Sequence, residues 1–185
     1  MVSIAVLDAN VLFPMILRDT LLRVAAAGCF RAHWSDRILD EMVRNLTQQH
    51  RITPEQAERL VAQMAKAFPE AEVDDREELE GAMPNDPKDR HVAAAAATIG
   101  ATFIVTANLK DFMRLPMGMQ AVTPDAFLLE RFEAMPEEIL AALRKQASGY
   151  RNPPTTIDEL LAWLERDLPT FVDAVRTMIA KGDAS

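Results

Sequence analysis

Residues 85–112 read "NDPKDRHVAAAAATIGATFIVTANLKDF". A helix start, a run of small residues, a stop and an apolar β-branched segment follow in that order. Asp86 stands where an N-cap belongs, Pro87 at the first helical position and Asp89 at the third. The alanines favour helix and let it lie close against a sheet, and Gly100 ends it. "ATFIVT" (101–106) is then a buried strand. A helix feeding a fully apolar strand is one half of a parallel α/β unit, and the other half lies upstream. "SIAVLD" (3–8) is a short buried strand ending at Asp8.

Between them, Pro14 opens a helix carrying "MILRDTLLRVAAA", and Gly28 stops it. "FRAHW" is a second strand. Ser35 caps the helix "DRILDEMVRNLTQQ". Thr53-Pro54-Glu55-Gln56 has the spacing of a capping box and starts another helix. "AEV" (71–73) is a candidate strand, and "DDREELEGAMP" holds one helical turn. "AVT" (121–123) closes the sheet, followed by a helix from Pro124. The pattern predicts a parallel α/β sheet with helices on both faces. Beyond about residue 130, three helical segments separated by Gly149, Pro153, Pro154 and Pro169 make a C-terminal extension. The expected division is 1–128 and 129–185.

The 185 residues are 49% apolar, enough for a core, and no apolar run approaches a membrane span. The N-terminal segment reads as a strand rather than a signal peptide. The single cysteine, Cys29, excludes an intrachain disulfide and fits a reducing cytosol. Three histidines and one cysteine do not supply a structural zinc site. His33, His50 and His91 read as surface or packing residues, and "MRLPMGM" (113–119) as loop packing. A net charge of −8 argues against nucleic-acid binding by the whole surface, but not against a local acidic cleft that takes a metal.

Ligands of open parallel sheets bind beyond the carboxyl ends of the strands. Asp8 and the "TANLKD" loop lie there, and Asp89 opens the helix entering that strand. On the helix 36–49, Ile38, Leu39, Met42, Val43 and Leu46 form the apolar face, while Asp36, Asp40 and Arg44 recur on the solvated one. Glu41 sits at the margin, so it reaches a cleft where Asp40 does not. Converging carboxylates repel unless protonated or bound to a cation. All-oxygen ligands select Mg²⁺ or Mn²⁺. Purely structural roles stay open for each residue: a turn at Asp8, a helix-dipole partner at Asp89, a cap at Asp111, and a left-handed turn at Asn108.

"VLDANVLF", "SDRILDEMVRNL" and "DPKDRHVAAAAATIGATFIVTANLKDF" together resemble the PIN-domain ribonucleases, in particular the VapC-like toxins of bacterial toxin–antitoxin pairs. The likeness covers about residues 2–128. It implies a three-layer α/β sandwich, Mg²⁺- or Mn²⁺-dependent cleavage of RNA, a cytoplasmic homodimer and a cognate antitoxin. Carried over by position, the family acids fall on Asp8, Glu41 and Asp89. The fourth belongs to a T-x-D loop, which here reads Thr106-Ala107-Asn108, so Asn108 or Asp111 takes that place. Asn10 is expected to position water or phosphate. The competing expectation is a non-catalytic PIN-like module that binds RNA or protein. An aspartate-nucleophile phosphatase is disfavoured, because Asn10 stands where that chemistry needs a second Asp.

Overall fold

The computed structural model describes residues 2–182. Five parallel strands form one sheet in the order β3-β2-β1-β4-β5: β1 Ile4–Leu7, β2 Arg31–Ser35, β3 Glu72–Val73, β4 Phe103–Val105 and β5 Gln120–Val122. Helices α1 Ala9–Leu12, α2 Met15–Ala26, α3 Asp36–Gln48, α4 Pro54–Ala67, α5 Glu77–Glu80 and α6 Arg90–Thr98 are interleaved with the strands. Four more follow: α7 Pro124–Ala134, α8 Pro136–Gly149, α9 Ile157–Leu164 and α10 Pro169–Gly182. The fold class is that of a three-layer α/β sandwich with C-terminal helices, as expected. No helix among the described residues is long and apolar enough to cross a membrane.

The chain packs as two compact units. One comprises 3–14 with 31–122, and the other 15–30 with 123–182. Within the first, Val92 to Ala96 of α6 are essentially inaccessible. Methyl-sized side chains let this helix pack directly on β1, β2 and β4. Gly100 follows with φ +62, a conformation that a Cβ disfavours. Trp34 of β2 is buried edge-on to Phe68. The capping box of α4 is present, with Thr53 and Gln56 bonding reciprocally. Ser35 occupies the N-cap position of α3 but its hydroxyl bonds nothing there, so the expected side-chain cap is absent.

In the second unit, α2 packs on α8, and the buried Thr20 donates to Gln146 Oε1 at 2.9 Å. Gln146 Nε2 in turn donates to the Ile16 carbonyl, so no polar end of this contact is left dry and unpaired. Phe132 and Phe171 pack edge-on between α7 and α10. Helix α9 starts with a capping box of Thr156 and Glu159.

Candidate active site

The site begins with register. β1 and β4 are neighbours, with Leu7 opposite Val105, so Asp8 and Thr106 leave the sheet side by side. Asp8 occupies the N-cap position of α1, a short helix not anticipated from sequence, yet its side chain makes no cap bond. Instead Oδ2 accepts from Thr106 Oγ1 at 2.7 Å and from Asn10 Nδ2 at 2.6 Å. Asn10 Nδ2 also reaches Thr106 Oγ1, and its Oδ1 accepts from the Ala107 amide at 2.9 Å. Asn10 therefore clamps the end of β1 to the loop after β4. The Asn108 backbone amide donates to Thr106 Oγ1, and with φ −116 Asn108 does not take the left-handed turn left open as its structural role.

Asp86 caps as its position implied, whereas Asp89 does not take the helical position expected of it. Asp86 Oδ1 accepts from the Lys88 amide at 3.1 Å and caps the 3-10 turn Pro87–Asp89. Because that turn is 3-10, Asp89 ends it and becomes the N-cap residue of α6, rather than the third residue of one continuous helix. Its side chain caps nothing, and its buried Oδ2 has no protein partner. Asp86→Ala is expected to lower stability by about 1 kcal/mol as a lost cap. Urea unfolding checks this, and an unchanged midpoint would mean that the turn is held otherwise.

Burial pushes the Asp8 carboxyl up, opposed by the Thr106 hydrogen bond and reinforced by the charge of Glu41. Burial and the charge of Asp8 push Asp89 up to about 6. Asp111 is held below its ordinary value, first by its hydrogen bond from Lys88. Lys88 Nζ lies 3.0 Å from Asp111 Oδ2, and Asn108 Nδ2 donates to the same oxygen. The Asp86 amide donates to the Asp111 carbonyl, tying the two loops together.

On α3, Asp40 is exposed and Glu41 half-buried, in keeping with the helical phase. Glu41 Oε2 lies 3.7 Å from Nε2 of His91, whose Nδ1 meets the Lys88 carbonyl at 3.1 Å. His91 is buried beside the acids rather than being a bystander. Its position two residues after Asp89 was the one signal available in the sequence. His33 is a packing residue and His50 is exposed, as expected. Met113 and Met117 are fully or largely exposed, so the methionine loop does not pack as anticipated.

The donor set is made of hard oxygens, with one buried carboxylate oxygen lacking a partner and two acids whose charged forms are disfavoured. That chemistry suits a divalent cation. Among the described residues, however, no three His, Cys, Asp or Glu side chains form a ready-made cage. The physical reason is visible in the partners. Asp8 is turned to Thr106 and Asn10, Asp111 to Lys88 and Asn108, and Glu41 to His91, while Asp89, beside the Asp111 carboxyl, keeps one buried oxygen without a hydrogen-bond partner.

The PIN domain model matches residues 5–110, and the VapC50 C-terminal domain model matches residues 124–177. A Mycobacterium tuberculosis protein named "Putative ribonuclease VapC50" is 37% identical over 108 residues, which is 57% of this chain and 64% of that protein. The match thus spans less than two thirds of the relative. No solved structure matches the chain.

Proposed function

The chain belongs to the PIN domain family, and from that premise we propose that it is a Mg²⁺- or Mn²⁺-dependent endoribonuclease, the cytoplasmic toxin of a toxin–antitoxin pair. The observation that carries this reading is the Asp8 carboxylate. It is buried, sits at a helix start without capping it, and faces the electrostatic reach of Glu41 and Asp89. Beyond the Ala9 amide, its partners are Thr106 and Asn10 rather than the second and third amides of α1 that a capping acid bonds. The name of the M. tuberculosis relative supports the ribonuclease reading.

In this proposal Asp8, Glu41 and Asp89 hold the metal, with Asp111 at the edge of the site. A bound Mg²⁺ or Mn²⁺ would activate water and neutralise charge on the phosphodiester. The protein's own contributions are positional. Thr106 and Asn10 fix the Asp8 carboxylate by two hydrogen bonds, and Asn10 locks the loop that carries Asn108. His91 faces Glu41 from α6, its Nε2 3.7 Å from the Glu41 carboxylate. Residues 1–128 carry the chemistry. The extension 129–185, an antitoxin partner and a homodimer complete the proposal.

Incubating the protein with a mixed RNA pool and Mn²⁺, with and without EDTA, tests it. EDTA-sensitive cleavage is the expected result, and the absence of both Mn²⁺ binding and cleavage would refute it. One observation favours a second reading, a non-catalytic RNA- or protein-binding module: Asn108 stands in the acidic place of the T-x-D loop. Mn²⁺ binding without cleavage would select that reading.

Asp40 and Glu41 provide an internal control. Asp40→Ala is expected to leave cleavage near wild type, because a solvated helix partner is worth only about 0.3 kcal/mol. Glu41→Ala is expected to abolish most cleavage with the fold intact. Equal losses in both would show that helical phase does not choose the ligand.

A further inference from the structure

The fourth acid is already occupied. The Asp111 side chain is only 10% exposed, and its Oδ2 takes both Lys88 Nζ at 3.0 Å and the Asn108 side-chain Nδ2. Lys88 is not a wandering surface lysine, although its side chain is 65% exposed. It sits on the turn Pro87–Asp89, immediately before Asp89. Asp86 caps that turn, the Asp111 carbonyl anchors it, and the Lys88 carbonyl meets His91. The backbone that carries Lys88 is thus tied down, its ammonium meets Asp111 at 3.0 Å, and Asp89 and Asp86 also act on it.

Charge then limits how many ions the site takes. Asp8, Glu41, Asp89 and Asp111 supply four negative charges at most, and Asn108 supplies none. One divalent ion and one ammonium leave a single negative charge. Two divalent ions with the ammonium in place would reverse the sign of these four acids, and the nearby Asp86 carboxylate is already engaged by the Lys88 amide. Resting on the metal-dependent reading above, we propose that Lys88 is a tethered counter-ion: it engages Asp111 in place of a second divalent ion. The site then takes one metal, held by Asp8, Glu41 and Asp89.

The test is calorimetric titration of EDTA-stripped protein with Mn²⁺, without RNA, on wild type, Lys88→Arg, Lys88→Met and Lys88→Met/Asp111→Asn. Wild type and Lys88→Arg are expected to bind one ion per chain with similar affinity. Lys88→Met removes a nearby positive charge and frees Asp111. It is expected to bind Mn²⁺ about tenfold more tightly, or to gain a second ion. The double variant removes the freed carboxylate and is expected to return to near the wild-type affinity and to one ion. A lysine that only supported the loop would give weaker binding in Lys88→Met and no recovery in the double variant. Two ions in wild type, or unchanged or weaker binding in Lys88→Met, overturns the assignment to Lys88 while leaving the nuclease reading standing. No Mn²⁺ binding by wild type overturns the metal reading itself and this proposal with it.

Discussion

Metal-free Asp8→Asn protein is expected to melt at or above the wild-type temperature, to lose its Mn²⁺-induced rise, and to cleave no RNA. Asp8 is buried, and both its burial and the charge of Glu41 disfavour the ionised form. The substitution removes that charge while keeping nearly the same shape. An asparagine carbonyl oxygen in the place of Oδ2 still accepts from Thr106 and Asn10, the two bonds that orient the native carboxylate. The clamp between β1 and the loop after β4 therefore survives. A ligand that binds the folded chain alone stabilises it by about 2.7 kcal/mol at a hundredfold excess over its dissociation constant. Wild type should gain on that order from Mn²⁺, and the variant should gain little. Thermal melts of both proteins with EDTA and with Mn²⁺ decide the matter. A destabilised Asp8→Asn protein that still responds to Mn²⁺ would mean that Asp8 is structural and that the ion, if any, sits elsewhere.

The second large effect concerns pH. Asp89 has a folded-state pKa of about 6 against an ordinary 3.8, with burial the largest cause and the Asp8 charge the next. A folded value above the unfolded one means that the native state binds more protons between the two. Stability contributed by protonated Asp89 is fully present below pH 3.8 and is lost as pH rises through about 6. The gap would correspond to about 3 kcal/mol for a fully buried group, and solvent screening of the part-exposed Asp89 makes the contribution smaller. Asp89→Asn keeps a neutral group at every pH. Without metal, it should be more stable than wild type at pH 7 and nearly equal to it at pH 4. Urea unfolding of both proteins in EDTA at a series of pH values gives the difference curve, in which acids common to both largely cancel. A flat difference between pH 4 and 7 would show that Asp89 carries no such strain. Added Mn²⁺ should reverse the order at pH 7, because only the wild type offers the carboxylate.

Local chemistry is what the sequence by itself determined. Apolar runs of strand length, the alanine helix and the Thr53–Gln56 capping box are decided by neighbours within a turn or two, so they could be seen before any fold was known. The choice of Asp86 as cap and Asp89 as the free acid, and of Glu41 over Asp40, also rests on position within one helix. Asp86 caps and Glu41 is half-buried beside an exposed Asp40, whereas Asp89 begins a separate helix instead of filling the third position of one. The packing of α2 with the C-terminal helices was not legible, because an amphipathic helix does not state which apolar surface will cover it. Nor was the use made of Asp8. Its partner Thr106 is 98 residues away and becomes a neighbour only when β1 and β4 pair with Leu7 opposite Val105. The engagement of Asp111 by Lys88 and of Glu41 by His91 likewise depends on two loops and a helix meeting at the strand ends. Residue type and spacing could nominate the acids. Which of them are bonded, which are buried, and which oxygen is left without a partner depends on non-local packing, since desolvation and hydrogen-bond satisfaction exist only in the assembled site.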